Sequence, residues 1–406
     1  MMTREECAAL DAADPLKHFR DEFALPDGMI YLTGNSLGAM PKSAPERISA
    51  AVNDEWANRL VGGWNSARWY NQPTDLGDGI APLIGAGPGQ VVVGDSTSVV
   101  IYKAMAAAAR LRPDRRVIVS DLSNFPTDRY VVEGLVKGLG GGYEIRDIGD
   151  LGTALGDDVA AVLLSQVDYR TGARRDMAAV TAQVHAAGAI MVWDLCHSVG
   201  AFPVDVGDAD FALGCTYKYV NGGPGSPAFL YVAPRHQADA ENVLSGWYGH
   251  AEPFAFEPHF RPAEGVRRFA VSTPHVLSGV ALSAALEMWK RVDLHAVRAK
   301  SVALTSLFID LVEAGGDRGL TLASPRDPDE RGSQVSFLHP DGYPVMRALI
   351  DRGVHGDYRA PSLLRFGFAP LYLRYVDVWD AAALIGEVLD KELWRDERYA
   401  QRLAVT

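Results

Sequence analysis

Lys218 lies in the run Cys215-Thr216-Tyr217-Lys218-Tyr219-Val220-Asn221-Gly222-Gly223-Pro224-Gly225, a poor setting for a helix and for an ordinary strand. A lysine between tyrosines, ahead of a glycine-rich turn, is well placed as an amine that condenses with an aldehyde. Upstream, Asp194 ends the strand-like run Ala189-Ile190-Met191-Val192-Trp193, where an acid has no packing reason to stand. An acid that holds a protonated pyridine nitrogen and a lysine that holds an aldehyde carbon are what pyridoxal 5'-phosphate requires of a protein. The plain alternatives are a surface lysine and a helix-capping aspartate.

Other residues fit the remaining parts of such a cofactor. Asp95-Ser96-Thr97-Ser98 lies between a strand-like run and an alanine-rich, helix-like one. N–H groups and hydroxyls at a helix N-terminus attract anions, so Thr97 and Ser98 are candidate phosphate ligands. An ordinary helix cap is the competing reading. Phe125, in Asn124-Phe125-Pro126-Thr127-Asp128, is placed to stack on a pyridine face with Asp128 near its polar edge. Taken alone, Phe125 would be read as core. Asp194 at contact distance would raise the ring nitrogen's pKa by ~1–3 units. His197 either flanks the cofactor or satisfies a buried backbone group.

The elements that must position these residues alternate along the chain. Residues 90–94 (QVVVG) precede a helical 99–111, and 116–121 (RVIVSD) precede a helical 127–137. Residues 159–167 (VAAVLLSQV) precede a helical 176–187, which leads into 189–195. Such alternation predicts an α/β fold with a mostly parallel sheet covered on both faces. Ligands then collect outside the carboxyl ends of the strands, where Ser96 to Ser98, Phe125 to Asp128, Ser165 to Asp168 and Asp194 to His197 fall. Ser43-Ala44-Pro45-Glu46 reads as a capping box opening a helix to about Leu60. The segment 276–297 reads as one long helix, with Leu282, Leu286 and Trp289 at core spacing, bridging into a smaller C-terminal domain. There, 333–337 (SQVSF) and 363–368 (LLRFGF) read as strands and 324–332 as a polar loop.

The 406 residues, 48% hydrophobic and 22% charged, suit a soluble globular chain of two or three domains. Its net charge of −12, with no basic run of five or more, argues against nucleic acid and anionic membrane as partners. Cys7, Cys196 and Cys215 are too few for a disulfide scaffold and lack metal-site spacing, so buried reduced thiols and no metal are expected. MMTREEC carries no apolar signal region, and no uncharged apolar stretch approaches the ~18 residues of a membrane span. A cytoplasmic location is the expectation.

Seven motifs, in order, resemble kynureninase: GNSLG (34–38), FPTD (125–128), YRTG (169–172), WDLCHSVG (193–200), GCTYKYVNGGPGS (214–226), SGWYGH (245–250) and LRFGF (364–368). The resemblance runs from about Phe23 to Val378. It implies a homodimer of PLP-dependent fold type I, in the aminotransferase class V-like branch, with shared active sites. Residues 61–285 would form the large PLP-binding domain and 286–406 a smaller α+β domain. Segment 1–60 would pack on the small domain and on the dimer partner. The implied reaction is hydrolytic Cβ–Cγ cleavage of L-kynurenine to anthranilate and L-alanine, in tryptophan catabolism.

Carried over by motif, Lys218 holds the cofactor and is the base, Asp194 is the pyridinium partner, and Phe125 stacks with Asp128 close by. Thr97, Ser98 and Tyr217 reach the phosphate side, Tyr217 doubling as an acid for a carbonyl oxygen. Ser165 and His197 complete the ring environment, and Trp247 and Thr273 add contacts from the second subunit. Arg365 clamps the substrate carboxylate, a structural salt bridge being the alternative. Asn35 faces the substrate or serves a turn. Trp64 and Thr273 stand where animal enzymes that favour 3-hydroxykynurenine have His and Asn, so unsubstituted kynurenine is the expected substrate. Asp168 stands where the pattern has Asn.

Other readings stay open. A cysteine desulfurase or selenocysteine lyase needs a thiolate on a loop of the C-terminal half, and all three cysteines lie at or before 215. An aminotransferase, or a catalytically silent PLP-binding protein, would share the frame. A nicotinamide enzyme would need GLGGG (138–142) to follow a strand, which it does not.

Overall fold

In a computed structural model describing residues 2–402, seven short strands form one sheet. They are β1 (Val91–Val93), β2 (Val117–Ser120), β3 (Glu144–Asp147), β4 (Val159–Ser165), β5 (Ile190–Asp194), β6 (Phe211–Gly214) and β7 (Phe229–Val232). Their order is β1-β7-β6-β5-β4-β2-β3. Neighbours run parallel except β7, which is antiparallel to β6 and β1. Every residue of the six strands other than β3 is buried. That is why these strands read as unbroken apolar runs. The edge strand β3 carries charge and is partly exposed, which guards a free edge and hides it from a hydrophobicity reading.

Helices α1 (Thr97–Arg110), α2 (Pro126–Leu139) and α3 (Met177–Ala186) make the crossovers. The alanines of α1 let it lie close on the sheet, buried from Val100 almost to its end. Helix α4 (Val276–Trp289) does not continue to 297. Asp293 is extended (φ −81°, ψ 108°) and its carboxylate accepts the His295 N–H, starting a new helix, α5 (Leu294–Glu313). The capping box at Ser43 is also not formed. Ser43 already has helical backbone (φ −75°, ψ −20°), so its hydroxyl makes no capping bond. The coil there widens into a π-helical stretch, Ala51–Trp56, before a 3₁₀ turn at Leu60–Gly62.

A second, antiparallel sheet has β8 (Thr321–Leu322), β9 (Gln334–Leu338), β10 (Asp357–Arg359) and β11 (Leu363–Gly367), in the order β8-β9-β11-β10. Phe308 of α5 packs edge-on against Phe337, Phe366 and Phe368, fixing helix to sheet. The expected architecture, a large mostly parallel sheet with a smaller α+β C-terminal part, is therefore present. The N-terminal helix Arg4–Ala13 packs on α6 (Tyr375–Asp390). Arg4 Nε meets Asp380 Oδ1 at 2.8 Å, and Asp11 accepts the Tyr375 and Val376 N–H groups that open α6. Lys300 and Asp14, both buried, pair at 2.6 Å. The three cysteines are free and buried, and among the described residues no helix is long and apolar enough to cross a membrane.

The far end of the large sheet holds Asp210, which is buried just before β6. Its carboxylate accepts from His236 (2.7 Å), Met191 N–H (2.7 Å), His185 (2.8 Å) and Arg235 (2.7 Å). Burial pushes its pKa up, but these bonds outweigh it and hold the group well below the usual carboxylate range. A depressed folded pKa contributes stability that is complete above the unfolded value, about 3.9, and fades as pH falls through the folded value. Asp210→Asn is expected to lose about 3 kcal/mol in urea unfolding at neutral pH. Below about pH 4 its further loss with acid should be shallower than that of the unsubstituted chain.

Candidate active site

The strand ends of β4 and β5 place two side chains side by side, because Ser165 pairs in register with Asp194. Ser165 Oγ donates to Asp194 Oδ2 (2.9 Å), and the Cys196 N–H donates to Oδ1 (2.7 Å). Asn124 Nδ2 donates to Ser165 Oγ (2.7 Å) and to Asp128 Oδ2 (2.8 Å). Asp128, at the start of α2, faces Asp194. Its burial first, then the Asp194 charge, push its carboxyl well above the usual range.

Lys218 follows β6 in a turn built for close approach. Asn221 takes a left-handed conformation (φ 64°), its N–H donates to the Lys218 carbonyl (3.0 Å), and its side chain donates to the Ala39 carbonyl (3.0 Å). The Gly38 N–H donates to the Tyr217 carbonyl (2.8 Å). A Cβ on Gly38 would stand 2.2 Å from the Lys218 carbonyl oxygen, so the GNSLG loop lies directly on the lysine's backbone. Lys218 Nζ meets His197 Nε2 at 2.9 Å. Burial, and then the charges of Lys218, Arg365 and Arg359, hold His197 well below its ordinary pKa, so the imidazole is neutral. Its Nδ1 is buried without a hydrogen-bond partner among the described residues. The adjacent Cys215, and then burial, hold the Tyr217 phenol above its usual value, as a proton donor.

Opposite stands a guanidinium pair. Arg365 in β11 lies directly across from Asp357 in β10, and its Nε donates to Asp357 Oδ1 (2.7 Å). Nη2 donates to Asp357 Oδ2 and to Ser36 Oγ, and Nη1 to the Tyr169 carbonyl (2.7 Å). Of the five N–H groups of a guanidinium only one, on Nη1, is left uncommitted. Arg359 shares the same carboxylate (3.2 Å) and has a buried Nε without a partner among the described residues. Two cations on one carboxylate leave a positive charge facing the cavity.

That cavity, of about 720 Å³, brings together Asn35, Thr97, Ser98, Phe125, Asp128 and Ser165 with Asp194, His197, Tyr217, Lys218 and Arg365. Phe125 is 46% exposed within it, edge-on to Tyr169 at 5.3 Å. Thr97 and Ser98 open α1, whose first N–H groups have no helical partner. These features fit pyridoxal 5'-phosphate: an aromatic wall, an acid for a ring nitrogen, an amine, and hydroxyls with a helix N-terminus for a phosphate.

The chain matches the family model "Kynureninase C-terminal domain" over residues 297–385. It is 51% identical to a kynureninase of Burkholderia pseudomallei (strain 1106a) over the whole of both chains. The chain belongs to the kynureninase family. A kynureninase of Pseudomonas fluorescens is 48% identical, again over both full lengths. Among solved structures, an apo cysteine desulfurase from Thermococcus onnurineus NA1 superposes with a TM-score of 0.77, covering 92% of this chain and 98% of its own. At 18% identity that likeness is one of fold.

Within this kynureninase-family chain, Trp64, Trp247 and Thr273 are not among the residues lining the cavity. Trp64 and Trp247 meet edge-on at 6.3 Å, Trp247 is 37% exposed, and Thr273 is exposed on a minor recess. Asn35 lines the cavity but is fully buried, its amide tied to Gln334 Oε1 (2.8 Å). Ser36, Asn124, Tyr169, Asp357 and Arg359 were missed from the sequence; Ser36 and Tyr169 lie inside motifs already recognised, and Asn124 directly precedes one. Asp168 now has a reason. Its Oδ1 accepts from the Arg170 N–H, the Thr171 N–H and the Thr171 hydroxyl, shaping the loop that aims Tyr169. Gly38→Ala should force the GNSLG loop and the lysine turn apart by about an ångström, because the obstacle is backbone. Turnover is expected to fall by about 10²-fold or more with a lowered melting temperature, checked by steady-state kinetics beside a melting curve.

Proposed function

We propose that this chain hydrolyses L-kynurenine to anthranilate and L-alanine with pyridoxal 5'-phosphate as its cofactor. The observation that carries the reading is the convergence of Lys218, Asp194 and the Arg365–Arg359 pair on one cavity, in a chain similar to kynureninases along its full length. When bound, the cofactor supplies an electron sink for charge that develops on the substrate's α and β carbons. The chain's own residues do the rest. Asp194 keeps the ring nitrogen protonated, and Thr97, Ser98 and the N-terminus of α1 hold the phosphate. Phe125 and Tyr169 form an aromatic wall that keeps bulk water off one face.

Lys218 moves the proton at the substrate Cα, and neutral His197 at 2.9 Å is the group that can accept from its amine. Tyr217, held protonated, donates to the γ-carbonyl oxygen as water adds. Each such acid or base contributes ~10²–10⁴-fold. The remaining Arg365 N–H and the Arg359 Nε receive the α-carboxylate, while the existing ion pair fixes their orientation. Asn35 then steadies the GNSLG loop more than it touches substrate.

Trp247 and Thr273 lie outside this chain's own cavity, and Trp247 packs against exposed Phe254. That supports a homodimer in which they, with Trp64, complete the neighbouring subunit's pocket. An aromatic wall at Trp64 gives a ring hydroxyl no partner, so 3-hydroxykynurenine is the poorer substrate, by up to ~100-fold. Reduced, buried thiols suit a cytoplasmic enzyme. A desulfurase is disfavoured because all three cysteines are buried and none lies beyond residue 215.

Purified chain with cofactor and L-kynurenine is expected to release fluorescent anthranilate. Kynurenic acid in its place would mark an aminotransferase, and no product a silent binder. Lys218→Ala should show almost no turnover. Arg365→Lys and Arg359→Gln should each raise KM by ~10–100-fold with a smaller effect on kcat, as expected for lost charge-assisted bonds.

A further inference from the structure

Lys103 is a charge in an unusual place. It sits mid-helix in α1, next to the run Ala104 to Ala109, and is 2% exposed. Its Nζ meets Asp95 Oδ2 at 2.6 Å and the Phe269 carbonyl oxygen at 2.7 Å. Asp95 is equally out of place. It lines the catalytic cavity, it precedes the Ser96-Thr97-Ser98 turn, and it holds a left-handed backbone (φ 58°) that a non-glycine residue rarely adopts. Its carbonyl accepts the Ala228 N–H (3.0 Å), which fixes that conformation. Asp95 thus stands between the catalytic cavity and the small recess that Lys103 lines, and a negative charge beside the helix N-terminus repels an incoming anion.

We propose that Lys103 is a positioning residue that neutralises Asp95 from behind, so that the N-terminus of α1 accepts a phosphate dianion. Lys103 touches neither substrate nor cofactor and acts only through Asp95. The arrangement explains both oddities together. Burial pushes the ammonium's pKa down and the Asp95 charge holds it up, so the buried cation depends on its carboxylate partner. The Phe269 carbonyl takes a further Nζ proton and ties the pair to the Gly265–Phe269 turn that leads to Thr273.

The inference rests on the reading that Thr97 and Ser98 hold the phosphate of pyridoxal 5'-phosphate, and the two separate in one titration. Apoenzyme is titrated at equilibrium, by absorbance, with pyridoxal 5'-phosphate and with pyridoxal, which lacks the phosphate. If the unsubstituted protein binds both equally, the phosphate site itself is misassigned and the role of Lys103 falls with it. Otherwise Lys103→Met is expected to weaken pyridoxal 5'-phosphate by about tenfold or more, leaving pyridoxal within about twofold. Adding Asp95→Asn to Lys103→Met should restore the phosphate form to within about threefold. Equal loss of both aldehydes, no loss of either, or no restoration in the double variant overturns the proposal. Should Lys103→Met fail to fold, Asp95→Asn alone decides. It is expected to bind pyridoxal 5'-phosphate at least as tightly as the unsubstituted protein, and a selective loss of the phosphate form would overturn the assignment.

Discussion

A carboxylate at the end of a buried strand is tolerated only if its charge is answered, and the site is arranged around that requirement at Asp194. Two donors, Ser165 Oγ and the Cys196 N–H, satisfy part of it without neutralising it. Its neighbour Asp128 is pushed well above the usual carboxylate range, by burial first and then by the Asp194 charge. Two carboxyls this close in a buried site favour a cation beside them. A neutral His197 against Lys218 completes the balance, because a second cation there would compete with the first.

The same logic recurs at the other wall. Asp357 is held low by Arg365 and Arg359 despite its burial, and one carboxylate cannot balance two guanidiniums. The surplus is positive where Asp194 leaves it negative. The two walls of the cavity thus present opposite fields. A water-filled cleft would screen such fields, whereas the partly enclosed cavity preserves them.

Local motifs made much of this legible. Lys218, Asp194, Phe125 and the Thr97–Ser98 turn are conspicuous because each breaks the propensity of the element it ends. The sheet was legible where strands are buried on both faces, and not at Glu144–Asp147, whose charged edge looks like loop. Phe211–Gly214 and Phe229–Val232 went unread because no helix-like run follows either to continue the strand–helix alternation. Asp357 and Arg359 were hidden because the register between β10 and β11 decides their partner, and a pairing across strands leaves no mark on either segment. The break between α4 and α5 turned on one side chain, Asp293, capping a new helix against a periodicity that ran on through it. Ser43 failed as a cap for the converse reason: residue type fitted, and backbone conformation did not.

The GNSLG loop carries a consequence for how the chain matures. Its flank Ile30–Tyr31 pairs with Val354–His355, Thr33 bridges to Gly367, and Gly38 rests on the lysine turn. On a ribosome this loop emerges among the first residues, while the strands it docks on are made almost last. Contacts so distant in sequence close slowly, since the intervening chain must be ordered before they form. The lysine gains its final surroundings only once translation is complete. The surroundings of Lys218 thus depend on contacts that join distant parts of the sequence, and a change in either part reaches the lysine.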